Sequence, residues 1–75
     1  MNFIELTSQD NQSSPVHINT MMITALVENT NLDSSKTTTV YLMGGQISIV
    51  SETVEDIKNK IKETENFKMA TFYPR

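Results

Sequence analysis

The chain has no cysteine and only one histidine, His17. Disulfides and thiolate zinc sites are therefore excluded, as is a multi-histidine metal site within one chain. No apolar run approaches the roughly 20 residues needed to cross a bilayer. The first residues show no basic segment followed by an apolar stretch, so no secretory leader is expected. Membrane insertion is not expected, and the expected location is cytoplasmic. A basic stripe able to hold nucleic-acid phosphates is also missing, because Lys58, Lys60 and Lys62 sit among the acids Glu55, Asp56, Glu63 and Glu65. Nucleic acid is not the expected partner.

What is present is a short acidic chain of 75 residues with net charge -3. Residues 1–50 carry Lys36 against Glu5, Asp10, Glu28 and Asp33, whereas residues 51–75 balance to zero. A domain of this size buries only about 60% of its unfolded surface and is marginal on its own. With no disulfide or metal available, a compact apolar core extended by self-association is the remaining route to stability.

Alternating apolar residues predict strands at Asn2–Thr7 (Ile4 and Leu6 on one face), Pro15–Asn19 (Val16 and Ile18) and Met21–Glu28 (Ile23, Ala25 and Val27). The β-branched run Thr37–Met43 predicts a fourth strand and Gln46–Val50 a fifth, with Ile47 and Ile49 sharing a face. Between those two, Gly44-Gly45 marks a hairpin, because tight primed turns need positive φ. Asn19 and Thr20 suit a tight turn, and the polar stretches Ser8–Ser14 and Asn29–Lys36 read as loops, the second mobile.

Ser51–Glu63 reads as the helix. Val54, Ile57 and Ile61 form its apolar stripe. Thr53 with Asp56 resembles a capping box, the early Glu52, Glu55 and Asp56 complement the helix dipole, and Asp56 with Lys60 makes an i,i+4 pair. The fold class expected is α+β, with about five short, mainly antiparallel strands, one C-terminal helix and an aromatic tail. Residues 1–63 form the β-rich domain and 64–75 the tail, docked or arm-like. The expected core is Ile4, Leu6, Val16, Ile18, Ile23, Val27, Val40, Leu42, Ile47, Ile49, Val54, Ile57 and Ile61. Met21, Met22, Met43 and Met69 are expected mainly to fill it.

No constellation for chemistry stands out. His17 lacks a neighbouring nucleophile in any recognised context. Asp10, Asn11 and Asp33 do not follow calcium-loop spacing, and Gly44-Gly45 has no phosphate-loop spacing. No catalytic residue, metal or cofactor is expected. The candidate interaction residues are the aromatic-rich tail, with Phe67, Met69, Phe72 and Tyr73, and the acidic Asp10, Glu28 and Asp33. Disordered tails are poor in aromatics, so this one is expected to dock, either on its own sheet edge or on a neighbouring copy.

Four segments carry a family resemblance: Ile4–Thr7 (IELT), Val16–Asn19 (VHIN), Thr39–Gly45 (TVYLMGG) and Ile49–Ile57 (IVSETVEDI). Together, across Phe3–Ile61, they resemble the small flagellar and swarming-motility proteins of the FlbD type. The chain departs from that pattern at Asn19-Thr20, where the family has Asn-Pro. The resemblance implies a motility-associated role and no active site. The function expected is a non-enzymatic interaction or assembly module whose main partner is itself. The alternative is a small phage or mobile-element protein that sequesters a small signalling ligand or inhibits a host protein.

Overall fold

The computed structural model describes residues 2–9 and 14–72, and their side chains as far as residue 64. Ile4 and Leu6 stand on the inner face of β1 (Phe3–Thr7), and Ile18 does the same on β2 (Pro15–Asn19). The two strands pair antiparallel with Ile4 opposite Ile18 and Leu6 opposite Val16. A single 3-10 turn, Thr20–Met22, leads into β3; its cap is Asn19, whose side-chain oxygen accepts the Met21 N–H at 3.0 Å. β3 (Ile23–Thr30), β4 (Lys36–Leu42) and β5 (Ile47–Val50) form a second antiparallel sheet in that order.

The ends of β1 and β5 join the two sheets. Ser8 bridges Val50, the Gln9 N–H donates to the Ile49 carbonyl at 2.9 Å, and the Ser51 N–H donates to the Thr7 carbonyl at 3.0 Å. The helix α1 (Val54–Phe72) follows β5 and seals the core with Ile57. The expectation of five antiparallel strands and a following helix therefore holds. Ile4, Leu6, Ile18, Val40, Val50 and Ile57 are buried, with Val16, Ile23, Leu26, Leu42 and Ile61 packed against them.

Two strands turn opposite faces to those expected. In β3, Ile23 pairs with Leu42 and Ala25 with Tyr41, so two residues are set against one. This bulge shifts the alternation. Leu26 points to the core, while Ala25 and Val27 face outward and Val27 is 44% exposed. In β5 the turn decides. Gly44 and Gly45 lie at φ +91 and +87, and the Leu42 N–H donates to the Gln46 carbonyl at 2.9 Å. That three-residue turn sets Tyr41 opposite Ile47 and Val40 opposite Ser48. Ser48 and Val50 therefore share Val40's face, and Ile47 and Ile49 take the other. A one-residue change of register moves a strand's whole apolar set across the sheet.

The helix also differs at both ends. It begins at Val54, after a connection that includes Glu52, and it continues past Glu63 to Phe72. Thr53 caps it as expected: its hydroxyl accepts the Asp56 N–H at 3.1 Å, and an Asp56 oxygen accepts the Thr53 N–H at 3.4 Å. No glycine or proline interrupts residues 64–72, and Glu65, Lys68, Met69 and Ala70 favour helix. The segment expected as a separate tail is thus helical backbone as far as Phe72. Side chains there lie outside the described residues, so the docking of the tail does too.

Asp56 and Lys60 do not form the expected ion pair; among the described residues the ion pair is Lys36 with Glu28 at 3.5 Å. Met21, Met22 and Met43 are exposed rather than core-filling, because the 3-10 turn and the glycine turn carry them to the surface. No helix among the described residues is long and apolar enough to cross a membrane.

Candidate functional site

Among the described residues, two grooves and one flat face are built from these elements. The larger groove, about 610 Å³, runs between Glu28 of β3 and one face of α1 formed by Val54, Glu55, Lys58, Asn59, Ile61 and Lys62. Helical spacing explains that face, since residues three, four and seven apart stand together. Glu28 is the inward-facing residue at this point of β3, opposite Thr38. One of its oxygens accepts the Val54 N–H at 3.2 Å, and the other pairs with Lys36. Glu28 thus ties the edge strand to the helix start, where the backbone N–H groups favour an anion.

The smaller groove, about 260 Å³, lies between β2 and the β4–β5 turn. Val16, Ile18, Met22 and Leu42 supply apolar walls, and His17, Asn19, Gln46 and Ser48 add polar groups. His17 is exposed and stands opposite Glu5 on β1. Among the described residues, no group of three histidine, aspartate or glutamate side chains is placed to hold a metal ion.

The flat face is the outer side of the β3–β4–β5 sheet. It carries Ala25 and Val27 from β3, Thr37, Thr39 and Tyr41 from β4, and Ile47 and Ile49 from β5. Asn29 completes it, donating to the Thr39 hydroxyl at 2.9 Å. Val27, Tyr41 and Ile47 are each more than 40% exposed, and none of these eight residues is charged. Sequence reasoning missed this face because it assigned Val27, Ile47 and Ile49 to the core.

Asp33 has a local task. Its Oδ1 accepts the Ser35 hydroxyl at 2.6 Å and the Ser35 N–H at 3.1 Å. Asn31 closes the same turn, with its N–H donating to the Ser35 carbonyl at 2.8 Å. The segment read as a mobile loop is therefore a hydrogen-bonded turn. Its bonds with Ser35, the side-chain one foremost, hold the Asp33 carboxyl below its ordinary value of 3.8. A carboxyl whose pKa is depressed in the folded state adds stability that is complete above its unfolded pKa and is lost as pH falls through the folded value. The Ser35 amide resonance is thus expected to titrate with a midpoint below pH 3.8 and to stop titrating in Asp33→Asn. A midpoint at or above 3.8 would contradict this account of the turn.

Of the interaction residues expected from sequence, Glu28 lines the larger groove and Asp33 faces its own turn. The structure does not bring these two carboxylates into one acidic patch. Asp10 and Tyr73, together with the side chains of Phe67, Met69 and Phe72, lie outside the described residues. No family model, curated protein or solved structure matches the chain.

Proposed function

We propose that this protein is a non-enzymatic interaction and assembly module that self-associates through the outer face of its β3–β4–β5 sheet. The carrying observation is that Val27, Tyr41 and Ile47 are exposed together on a face without a charged side chain. Contiguous exposed apolar surface marks interaction sites. A second copy suits it for an electrostatic reason. The chain carries net charge -3, and an uncharged face lets two copies meet without setting like charges directly against one another. Two such faces can stack at about 10 Å, the ordinary spacing of packed sheets. The resemblance to motility proteins adds a cellular setting to this reading.

Sedimentation velocity tests it. The wild-type chain is expected to sediment as a multiple of 8.5 kDa. Ile47→Lys, at a position 58% exposed, is expected to leave the fold unchanged. A central apolar contact is worth about 2 kcal/mol, so association should weaken roughly 30-fold. A wild-type monomer, or an Ile47→Lys protein of unchanged mass, would refute the face as an association surface.

The small-ligand alternative draws support from the groove beside His17, whose apolar walls and few polar groups have the usual make-up of a ligand site. Its volume of about 260 Å³ falls just under the usual range of roughly 300–1,000 Å³, so this groove fits only a small guest.

A further inference from the structure

We infer that the larger groove receives an extended acidic peptide segment of a partner protein, which adds as a further strand to the outer edge of β3. This goes beyond self-association and uses a different surface. Three observations carry it.

The first is the edge itself. β3 is the terminal strand of its sheet, and among the described residues no strand pairs with its outer side. It offers eight residues, Ile23–Thr30, five of them exposed. A row of unpaired backbone groups is a template for another chain. Pairing with an extended peptide is a recurring mode of recognition, with the main chain giving affinity and side-chain pockets giving specificity.

The second is the groove beside that edge. Helix α1 forms its far wall, where Val54 and Ile61 are half-buried and apolar. Alternate side chains of an added strand would point toward that wall, because successive residues of a strand face opposite ways.

The third is charge. Lys58 and Lys62 stand four residues apart on the helix face lining the groove. Among the described residues neither has a carboxylate within 4.0 Å, the ion pair there being Lys36 with Glu28. Glu28 does not repel an acidic guest strongly, since Lys36 and the Val54 N–H already engage it. With Lys36 included, the groove rim sets three cations against Glu28 and Glu55, in a chain of net charge -3. The local sign is opposite to that of the whole protein and selects an acidic segment. A second copy suits the groove less well, because its edge strands β2 (PVHIN) and β5 (ISIV) carry no acidic residue and β1 (FIELT) and β3 (ITALVENT) carry one each.

The probe is a fluorescein-labelled heptapeptide of alternating glutamate and valine, read by fluorescence anisotropy against the full chain. Saturable binding that weakens with added salt is expected, and it should be equal for wild type and Ile47→Lys. The double variant Lys58→Glu/Lys62→Glu is expected to bind about tenfold more weakly, the sum of two exposed charge contacts reversed. Lys58→Gln/Lys62→Gln should fall between, and circular dichroism checks that both remain folded. A peptide N-methylated at alternate residues cannot complete a strand ladder and is expected not to bind.

Absence of binding to the wild type overturns the proposal. So does equal binding by the charge-reversed variant or by the N-methylated peptide. If the charge-reversed variant instead loses oligomeric mass and the peptide does not bind, a second copy fills the groove. Loss of oligomers in Ile47→Lys with peptide binding intact would separate this site from the sheet face.

Discussion

Replacing Ile57 with alanine is expected to destabilise the fold by about 3–4 kcal/mol, within the range for buried Ile→Ala changes. Ile57 is fully buried and is the helix residue at the centre of the core, with Ile61 packed beside it. A chain of 75 residues has a total stability of roughly 4–11 kcal/mol by the usual per-residue figure. The substitution therefore removes a large share of it. Ile57→Val, which deletes one methylene, is expected to cost about 1 kcal/mol. Urea unfolding should show the midpoint falling with little change in slope if the loss is a cavity in an intact fold. A lower slope would mean that the helix has left the sheets in the native state. An alanine variant within 1 kcal/mol of wild type, well under the range cited for such sites, would show that the helix is not part of the core.

The Ile57 contact was legible in advance because helical periodicity is robust. Val54, Ile57 and Ile61 keep their spacing wherever the helix starts, so the error at its N-terminal end did no harm. Strands are less forgiving. The alternation of β1 and β2 survived because no irregularity falls within Phe3–Thr7 or Pro15–Asn19. In β3 a bulge of one residue exchanged Leu26 for Val27 in the core. Nothing in M-M-I-T-A-L-V-E announces that bulge, since it is fixed by pairing with β4. In β5 the glycine pair was read correctly as a hairpin, but the loop length sets which of Ile47–Val50 turn inward. The same misreading concealed the candidate association face: three residues assigned to the interior lie on the outside of the sheet.

The bonds that the charged residues make were hidden for a related reason. Glu28, Asp33 and Glu52 look alike in a sequence, as solvated acids in an acidic chain. Each proves to accept backbone N–H groups from a specific place: Glu28 from the helix start, Asp33 from its own turn, Glu52 from β1. Only Asp33 acts locally, so only its role could have been inferred from neighbouring residues, through the side-chain turn that D-S-S permits. The partners of Glu28 and Glu52 lie 26 and 45 residues away, a separation that only the tertiary fold can close.

Glu52→Ala is the second large effect expected, a loss of about 1.5–3 kcal/mol, the range for hydrogen bonds to a charged group. The sequence placed Glu52 among the acids at the helix start. The structure places it before the helix, with its carboxylate turned toward β1. One oxygen accepts the Thr7 N–H at 2.9 Å and the other the Thr7 hydroxyl at 3.0 Å. Its own carbonyl accepts the hydroxyl of Thr38, a fully buried residue of β4, at 2.7 Å. Beside it, the Ser51 N–H donates to the Thr7 carbonyl. The link between β5 and α1 is thus fastened to β1 and β4 where the two sheets meet. Alanine leaves the Thr7 N–H without its acceptor in a half-buried place, which costs more than the bond alone contributed. The Thr38 bond survives, because it uses the backbone of residue 52. Glu52→Gln keeps the shape and one acceptor oxygen, so about half the loss is expected, of order 1 kcal/mol. Thr7→Val removes only the hydroxyl contact. Combined with Glu52→Ala it should add less than its separate cost, since both changes remove the same interaction. Thermal unfolding of the two single variants and the double variant gives that coupling. Full additivity would show that the two side chains do not interact, and the fastening of the two sheets would then rest on the Thr7 N–H bond to Glu52, the Ser8–Val50 bridge and its neighbouring backbone bonds.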